Sequence, residues 1–521
     1  MISPAQLWQA AQQHLARNDA AGAGAQLRAL LRIVPTHTHA HLLLGGIAHA
    51  GGDLRAATQH ALDAALVLPD DAVVISHVVN ALMLVGEMAK ARECLAHAAI
   101  ERCRDGGVLV NLASVQQTLG EHPQSLALFD RALALGFRHP DLVYIRGVQL
   151  MFNGRLEEAA EAFTLCLRER SAHGRAAVAL ARLRKQTRAE NHLALIDEQL
   201  RRVPRGTEDH AAFEFARYKE FEDIGDFDAA WTALERGNAI MAARLPQKPE
   251  LERRLVDELI ARCRGDFLQP VDAPREGPQP IFIVGMPRSG TTVLERLLGN
   301  HSQITSAGEL GDFPRGMCWA ANLVTQQLLD RAIVARAATL SYAEIGSRYL
   351  AQTQWRSRGR AWFVDKLPTN HFNVGFIARA LPHAKILHMT RDPMDVCFSN
   401  YRAYFGEGYA YSYRFDTLAA YYADYRRLMD HWHRELPGRV LDVPYTSLVS
   451  DTEAAAREIF DFCELPVEAG ITDLRRNTAP AATLSTMQVR EGIHQRAHRE
   501  WERYSTGLAP LEQSLREKGV L

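Results

Sequence analysis

No stretch of the 521-residue chain carries the roughly eighteen consecutive apolar residues that a membrane-spanning helix needs. Its first residues, MISPAQLWQAAQQHLARND, have the spacing of an amphipathic helix and neither the basic start nor the apolar stretch of a secretory leader. Cysteine is sparse: Cys94, Cys103, Cys166, Cys263, Cys318, Cys397 and Cys463 are scattered, odd in number and without a CxxC pair, which suits reduced thiols and indicates neither zinc nor a disulfide framework. His371, His383, His388, His431 and His433 show no HxxxH or HExxH spacing, so no metal is assigned. Net charge is nearly absent as well. Sixty Lys plus Arg against 61 Asp plus Glu leave −1, which gives no global field for nucleic acid or an anionic membrane, and any anion site must be local. The expectation is a soluble cytoplasmic protein with no integral membrane association and no nucleic-acid partner. With 47% hydrophobic and 23% charged residues, the chain is long enough for two or three domains with real cores.

What is present begins with a repeat. The pairs Asn18-Asp19, Gly52-Asp53, Gly86-Glu87, Gly120-Glu121 and Gly154-Arg155 recur every 34 residues. Ala57, Ala91 and Ala159 lie five after their anchors, Ala64, Ala98 and Ala132 twelve after, and Pro35 and Pro69 seventeen after. Small residues at these places let two antiparallel helices approach, glycine turns the chain between them and proline ends the second helix. The spacing resembles tetratricopeptide (TPR) repeats, which implies an all-α solenoid over residues 1–178. Residues 179–268 read as an irregular continuation, with a further unit at Asp223-Ile-Gly225-Asp-Phe-Asp-Ala-Ala230. Residues 269–280 form a Pro-rich linker, the domain boundary. From 281 to 521 short apolar runs (Ile281 to Val284, Ala361 to Val364, Lys385 to Met389, Arg439 to Val443) alternate with helical segments. That pattern predicts an α/β domain with a mostly parallel sheet, whose ligands gather at the carboxyl ends of its strands.

The first of those runs leads into Gly285-Met-Pro287-Arg288-Ser289-Gly290-Thr291-Thr292 and then a helical period. Strand, glycine-bounded loop and helix turn backbone N–H groups and a helix N-terminus toward one point, a site for a phosphate or something like it. A nucleoside-triphosphatase loop reads GxxxxGK[ST]; here Thr291 stands where the lysine belongs, and the positive charge has moved to Arg288. ATP or GTP hydrolysis would lack its main charge clamp, which points to a different phosphorylated donor. A second anion site is suggested by Arg391 at a strand end, with Asp392 and Pro393 as N-cap and first helical residue and Ser399 about two turns on. Glu309 in the intervening loop is the preferred general base, with His301 its rival, and Lys366 follows the next strand.

PRSGTT after an apolar strand resembles the 5′-phosphosulfate loop of sulfotransferases that use 3′-phosphoadenosine 5′-phosphosulfate (PAPS). RDP with a serine downstream resembles their 3′-phosphate site, and Gly308-Glu309 resembles tyrosylprotein sulfotransferases in particular. Together the two halves look like bacterial proteins that join TPR repeats to a sulfotransferase domain. The resemblance implies that Pro287 to Thr292 hold the phosphosulfate, Arg391 and Ser399 the 3′-phosphate, that Glu309 accepts the acceptor's proton, and that Lys366 steadies the leaving oxygen. By the same resemblance Tyr445 and Ser485 line the cofactor, while Glu500 stands where the family has a lysine. The implied reaction moves a sulfuryl group to a hydroxyl and releases adenosine 3′,5′-bisphosphate, with no metal. Protein or peptide tyrosine, held by the TPR groove, is the first acceptor expected. A small phenol, saccharide or lipid hydroxyl, or a TPR scaffold with an inactive sulfotransferase half, are the alternatives.

Overall fold

The computed structural model describes residues 2–139, 141–169, 173–273, 275–325, 329–476 and 499–521. Helices Pro4–Ala16, Ala20–Ile33, Thr38–Ala50, Leu54–Ala64, Ala72–Val85, Met88–Cys94, Gly106–Thr118, His122–Ala134, Leu142–Phe152 and Leu156–Glu169 form the expected antiparallel pairs. The anchor of each repeat is the turn itself. Asn18, Gly52, Gly86, Gly120 and Gly154 are all left-handed, with φ of 56°, 81°, 84°, 78° and 80°. Glycine takes that conformation without a Cβ clash and asparagine is the residue that best replaces it. Asp19 and Asp53 then cap the second helix, accepting from Gly22 N and Ala56 N. Ala57, Ala91 and Ala159 are buried where the helices meet, as are Ala64 and Ala132. Ala98 departs from the pattern: its helix stops at Cys94 and resumes over Ala98–Glu101, so Ala99 is buried in its place. The later unit turns through Gly225, φ 82°, between Glu208–Ile224 and Phe227–Arg244.

Two compact units make up the chain, and neither is contiguous in sequence. One takes in 1–138, 271–273 and 311–355; the other 139–270, 274–310 and 356–521. In the first, the segment 311–355 packs on the repeats. Arg55 lies over the Trp319 ring at 4.7 Å and donates to the carbonyls of Trp319 and Ala320. Glu87 holds Arg348 at 2.7 Å and accepts from Gln352 at 2.7 Å.

The second unit is built on a parallel sheet of β1 Gln279–Gly285, β2 Ile304–Ser306, β3 Trp362–Asp365, β4 Lys385–Thr390 and β5 Val440–Pro444, in the order β2-β3-β1-β4-β5. β2, a three-residue edge strand, carries too short an apolar run to be seen in the sequence. Register pairs Ile281 with Val364, Ile283 with Leu387 and Met389 with Val443. Ile281, Ile283, Leu387 and Met389 pack on Leu294, Leu297 and Leu298 of helix Thr291–Gly299, all of them buried. Each such side chain contributes about 1.5–3 kcal/mol. Since β3 and β4 flank β1, the strand order reverses at β1, and the crevice of an open α/β sheet opens beyond that strand's carboxyl end. Among the described residues, no helix is long and apolar enough to cross a membrane.

Candidate active site

Five loops leave the carboxyl ends of the five strands, and the expected residues other than His301 and Ser485 sit on them or on the helices that follow. After β1 comes the phosphate loop. Gly285 has φ 147°, and a Cβ there would lie 2.7 Å from the Met389 carbonyl; Gly290 has φ 114°, and its Cβ would meet the Tyr445 ring at 2.5 Å. Only glycine closes the loop this tightly. Arg288 is itself left-handed, φ 67°, and Asn400 Nδ2 donates to the Pro287 carbonyl at 2.8 Å, pinning the loop from helix Pro393–Tyr401 after β4. Helix Thr291–Gly299 begins without a side-chain cap, and Thr291 and Thr292 are buried at its start. Ser289 Oγ is buried with no hydrogen-bond partner among the described residues. A cradle with a buried hydroxyl and an uncapped helix start fits an anionic oxygen cluster.

Charge gathers there too. Loss of hydration, then the like charges of Arg182, Arg402 and Arg391, push the Arg288 guanidinium down to about 9, with Glu500 opposing. Several guanidinium groups that disfavour one another are a standing demand for an anion. Arg402 is paired with Glu500 at 2.6 Å, so the glutamate standing at the family's lysine position neutralises a neighbouring arginine.

Lys366 follows β3. Its side chain is 1% exposed, and its Nζ is salt-bridged to Glu309 and lies 3.9 Å from Glu295 on the loop's own helix. Glu295 is held in turn by the Ser306 hydroxyl at the end of β2. Asp365, the residue next to Lys366, instead accepts from the Leu310 backbone at 3.3 Å, which steadies the Glu309 loop. Glu309, with 41% of its side chain exposed, is the one of Lys366's two carboxylate partners that faces solvent. Tyr409 lies near it: burial first, then the Glu309 charge, raises the pKa of its hydroxyl. His301, by contrast, is fully buried, stacks on Phe460 and contacts the Pro466 carbonyl at 3.0 Å, a packing role that leaves it unable to reach a substrate.

After β4, Asp392 caps helix Pro393–Tyr401 with Pro393 at its start, and Ser399 is buried on that helix. The Arg391 guanidinium lies 4.5 Å over the Tyr445 ring, and its Nε is 3.8 Å from Asp395, which accepts from Arg499 N at 2.9 Å. Tyr445, after β5, thus touches both anion loops. A cavity of about 270 Å³ adjoins them, lined by Ser289, Thr390, Arg391, Tyr425, His388 and Asp442. Ser485 lies outside the described residues. Sequence reasoning missed Glu295 and Asn400; only the one-turn spacing of Glu295 from Thr291 placed it on the loop's helix, and nothing in the sequence aims it at Lys366.

A parallel sheet with an anion loop at its switch point, a second arginine close by and a buried lysine–glutamate pair gather groups that suit an anionic ligand at one end of the sheet. Residues 280–469 match the sulfotransferase family. Over 330 residues the chain is 31% identical to an uncharacterized protein of Aquifex aeolicus, covering 60% of this chain and 42% of the relative. It is 26% identical over 199 residues to a putative protein-tyrosine sulfotransferase of Caenorhabditis briggsae, covering 36% and 66%. It is 28% identical over 160 residues to an omega-hydroxy-beta-dihydromenaquinone-9 sulfotransferase of Mycobacterium tuberculosis, covering 29% and 40%. The chain therefore spans less than two thirds of each of these curated relatives.

Proposed function

We propose that this protein transfers a sulfuryl group from PAPS to an acceptor hydroxyl, with a tyrosine of a peptide or protein as the acceptor. The observation that carries the reading is the Glu309–Lys366 pair placed beside the uncapped phosphate loop. PAPS supplies an electrophilic sulfuryl group on a phosphate leaving group; every other task falls to the chain. Arg288, Ser289, Gly290, Thr291 and Thr292 bind the phosphosulfate end, and Arg391, Ser399 and Tyr445 the nucleotide end. Glu309 takes the acceptor's proton at its exposed carboxylate. Lys366, fixed by burial, places a cation where negative charge grows, which lowers the barrier more than it tightens ground-state binding.

A phenolic acceptor is supported by Tyr409 beside Glu309 and by the tyrosine-modifying relative. The repeat unit supplies a groove of about 590 Å³ for the acceptor chain, lined by Trp8, Leu15, Leu42 and Leu84 among others. The menaquinone-modifying relative supports a second reading, a lipid hydroxyl as acceptor.

Calorimetric titration with adenosine 3′,5′-bisphosphate, beside ATP, tests the donor. Wild type binds the bisphosphate selectively, and Arg288→Ala weakens it at least about tenfold, the loss of one charge-assisted contact. Equal affinity for ATP would remove the assignment. Binding without turnover of labelled PAPS on tyrosine peptides or isoprenoid alcohols would leave a repeat scaffold with a silent catalytic half.

A further inference from the structure

The groove of the repeat unit carries four histidines on its wall, His39, His41, His49 and His77, and one of them belongs to a second cluster. His41 lies on helix Thr38–Ala50 and is 6% exposed; His60 and Asp63 are three apart on helix Leu54–Ala64, hence on one face. His41 Nδ1 is 3.1 Å from His60 Nδ1 and 3.7 Å from Asp63 Oδ2.

Each end of the cluster is fixed from behind. His41 Nε2 is 2.8 Å from the Pro35 carbonyl, which can only accept; Nε2 therefore carries a proton, and the tautomer with its one proton there turns the Nδ1 lone pair inward. Gln59 Nε2 donates to Asp63 Oδ1 at 2.8 Å, leaving Oδ2 to face His41. A backbone carbonyl behind a histidine and an amide behind a carboxylate are the outer partners that hold metal ligands in place. Tetrahedral zinc, with bonds of about 2.0–2.1 Å, sets its ligand atoms about 3.3 Å apart. The two separations from His41 bracket that value, and all three ligand atoms lie within 4.8 Å of one another.

The other histidine cluster differs. Asp442 Oδ1 sits 2.6 Å from His388 Nδ1 and 2.9 Å from His433 Nε2, separations at which the carboxylate itself answers both rings, while Tyr425 meets the far nitrogen of His388. In the repeat unit, two ring nitrogens face each other and the carboxylate stands back.

We propose that His41, His60 and Asp63 form a binding site for a divalent transition metal, zinc in the first instance. Three protein ligands leave a fourth position for water or for a donor atom of the groove's occupant, since His41 also lines the groove. Bound metal would clamp the two helices of the second repeat.

The test uses the tag-free full-length chain stripped with a chelator. Zinc titrated by calorimetry binds with single-site stoichiometry and raises the melting temperature; His60→Gln and Asp63→Asn weaken it by about tenfold or more, and His433→Ala leaves it unchanged. Cobalt(II) added to wild type gives the intense visible bands of a tetrahedral nitrogen–oxygen site, a readout independent of how the variants fold. The proposal is overturned by absent saturable binding, by equal zinc affinity in His60→Gln, by loss in His433→Ala instead, or by a cobalt spectrum that stays that of the hydrated ion.

Discussion

Lys366 is a cation with almost no access to water, and its charge is tolerated because Glu309 and Glu295 stand on either side of it. The two carboxylates do different things. Glu295 is 9% exposed and tied to Ser306, so it stays with the lysine, whereas Glu309 is open to an incoming hydroxyl. Removing the Glu309 charge therefore leaves Lys366 still compensated. Glu309→Gln is expected to lower kcat by about 10²–10⁴-fold, the usual span for a lost general base, with bisphosphate affinity and melting temperature near wild type. Lys366→Met is expected to cost about 10²–10³-fold in kcat and also to lower stability, because two carboxylates then share a site with no cation. On the proposed roles, one proton and one leaving oxygen in the same step, the double variant should be little worse than the poorer single variant. Turnover of labelled donor with an acceptor phenol measures all three; strictly multiplicative losses would show that the pair does not work as a unit.

Helix Pro249–Arg262 lies against helix Phe415–Glu435, and their meeting face holds more acid than base can answer. Asp424 already takes Arg427 at 2.7 Å, and Arg253 lies 3.6 Å from it. Glu252 is left with burial, then Asp424's charge, and both push its carboxyl up to about 7. In the unfolded chain that group ionises near the ordinary glutamate value of 4.5, so folding holds a proton that the open chain would release. Stability is fully present below about pH 4.5 and is lost as pH rises through about 7, by up to about 3 kcal/mol. Glu252→Gln should match wild type in thermal melts at pH 4 and exceed it at pH 8; equal melting at pH 8 would mean that Glu252 is ionised in the fold. None of this was legible in the sequence, where Glu252 is one acid on a charged helix. What could be read were features set by one short segment: the left-handed anchors of the 34-residue repeat, the loop from Gly285 to Thr292, the Asp392-Pro393 helix start. Asn400 bracing Pro287, Glu295 facing Lys366 and His41 facing His60 and Asp63 each depend on which elements pack together, and single-chain spacing carries no such information. Lys366 illustrates the division. Its position after a strand was readable, while its burial and its partners follow from the sheet order that sets β3 beside β1.

At the scale of the whole chain, the half that carries the sheet is interrupted. Between β2 and β3 the polypeptide leaves its own unit, contributes residues 311–355 to the repeat unit, and returns. The repeats prepare for this at their anchor positions. Where Asp19 and Asp53 cap their helices, Glu87 makes no cap and turns instead to Arg348 and Gln352, while Ala89 N donates back to Gln352 at 3.0 Å. Glu87 and Arg348 side chains are only 7% and 15% exposed, so each is a buried charge whose hydration has been exchanged for the other. Removing one partner should cost up to about 3–5 kcal/mol, because the survivor keeps its charge largely out of water with only neutral partners left, whereas replacing both with methionine should recover most of it. Glu87→Ala is thus expected to raise amide exchange over residues 311–355 and in the third repeat, with β1, β3 and β4 as protected as in wild type. The Glu87→Met/Arg348→Met double variant should restore protection. Exchange over 311–355 that does not respond to Glu87→Ala would mean that the cation–π contacts of Arg55 and Arg348 with Trp319 and of Arg92 with Trp355 hold the segment without the ion pair.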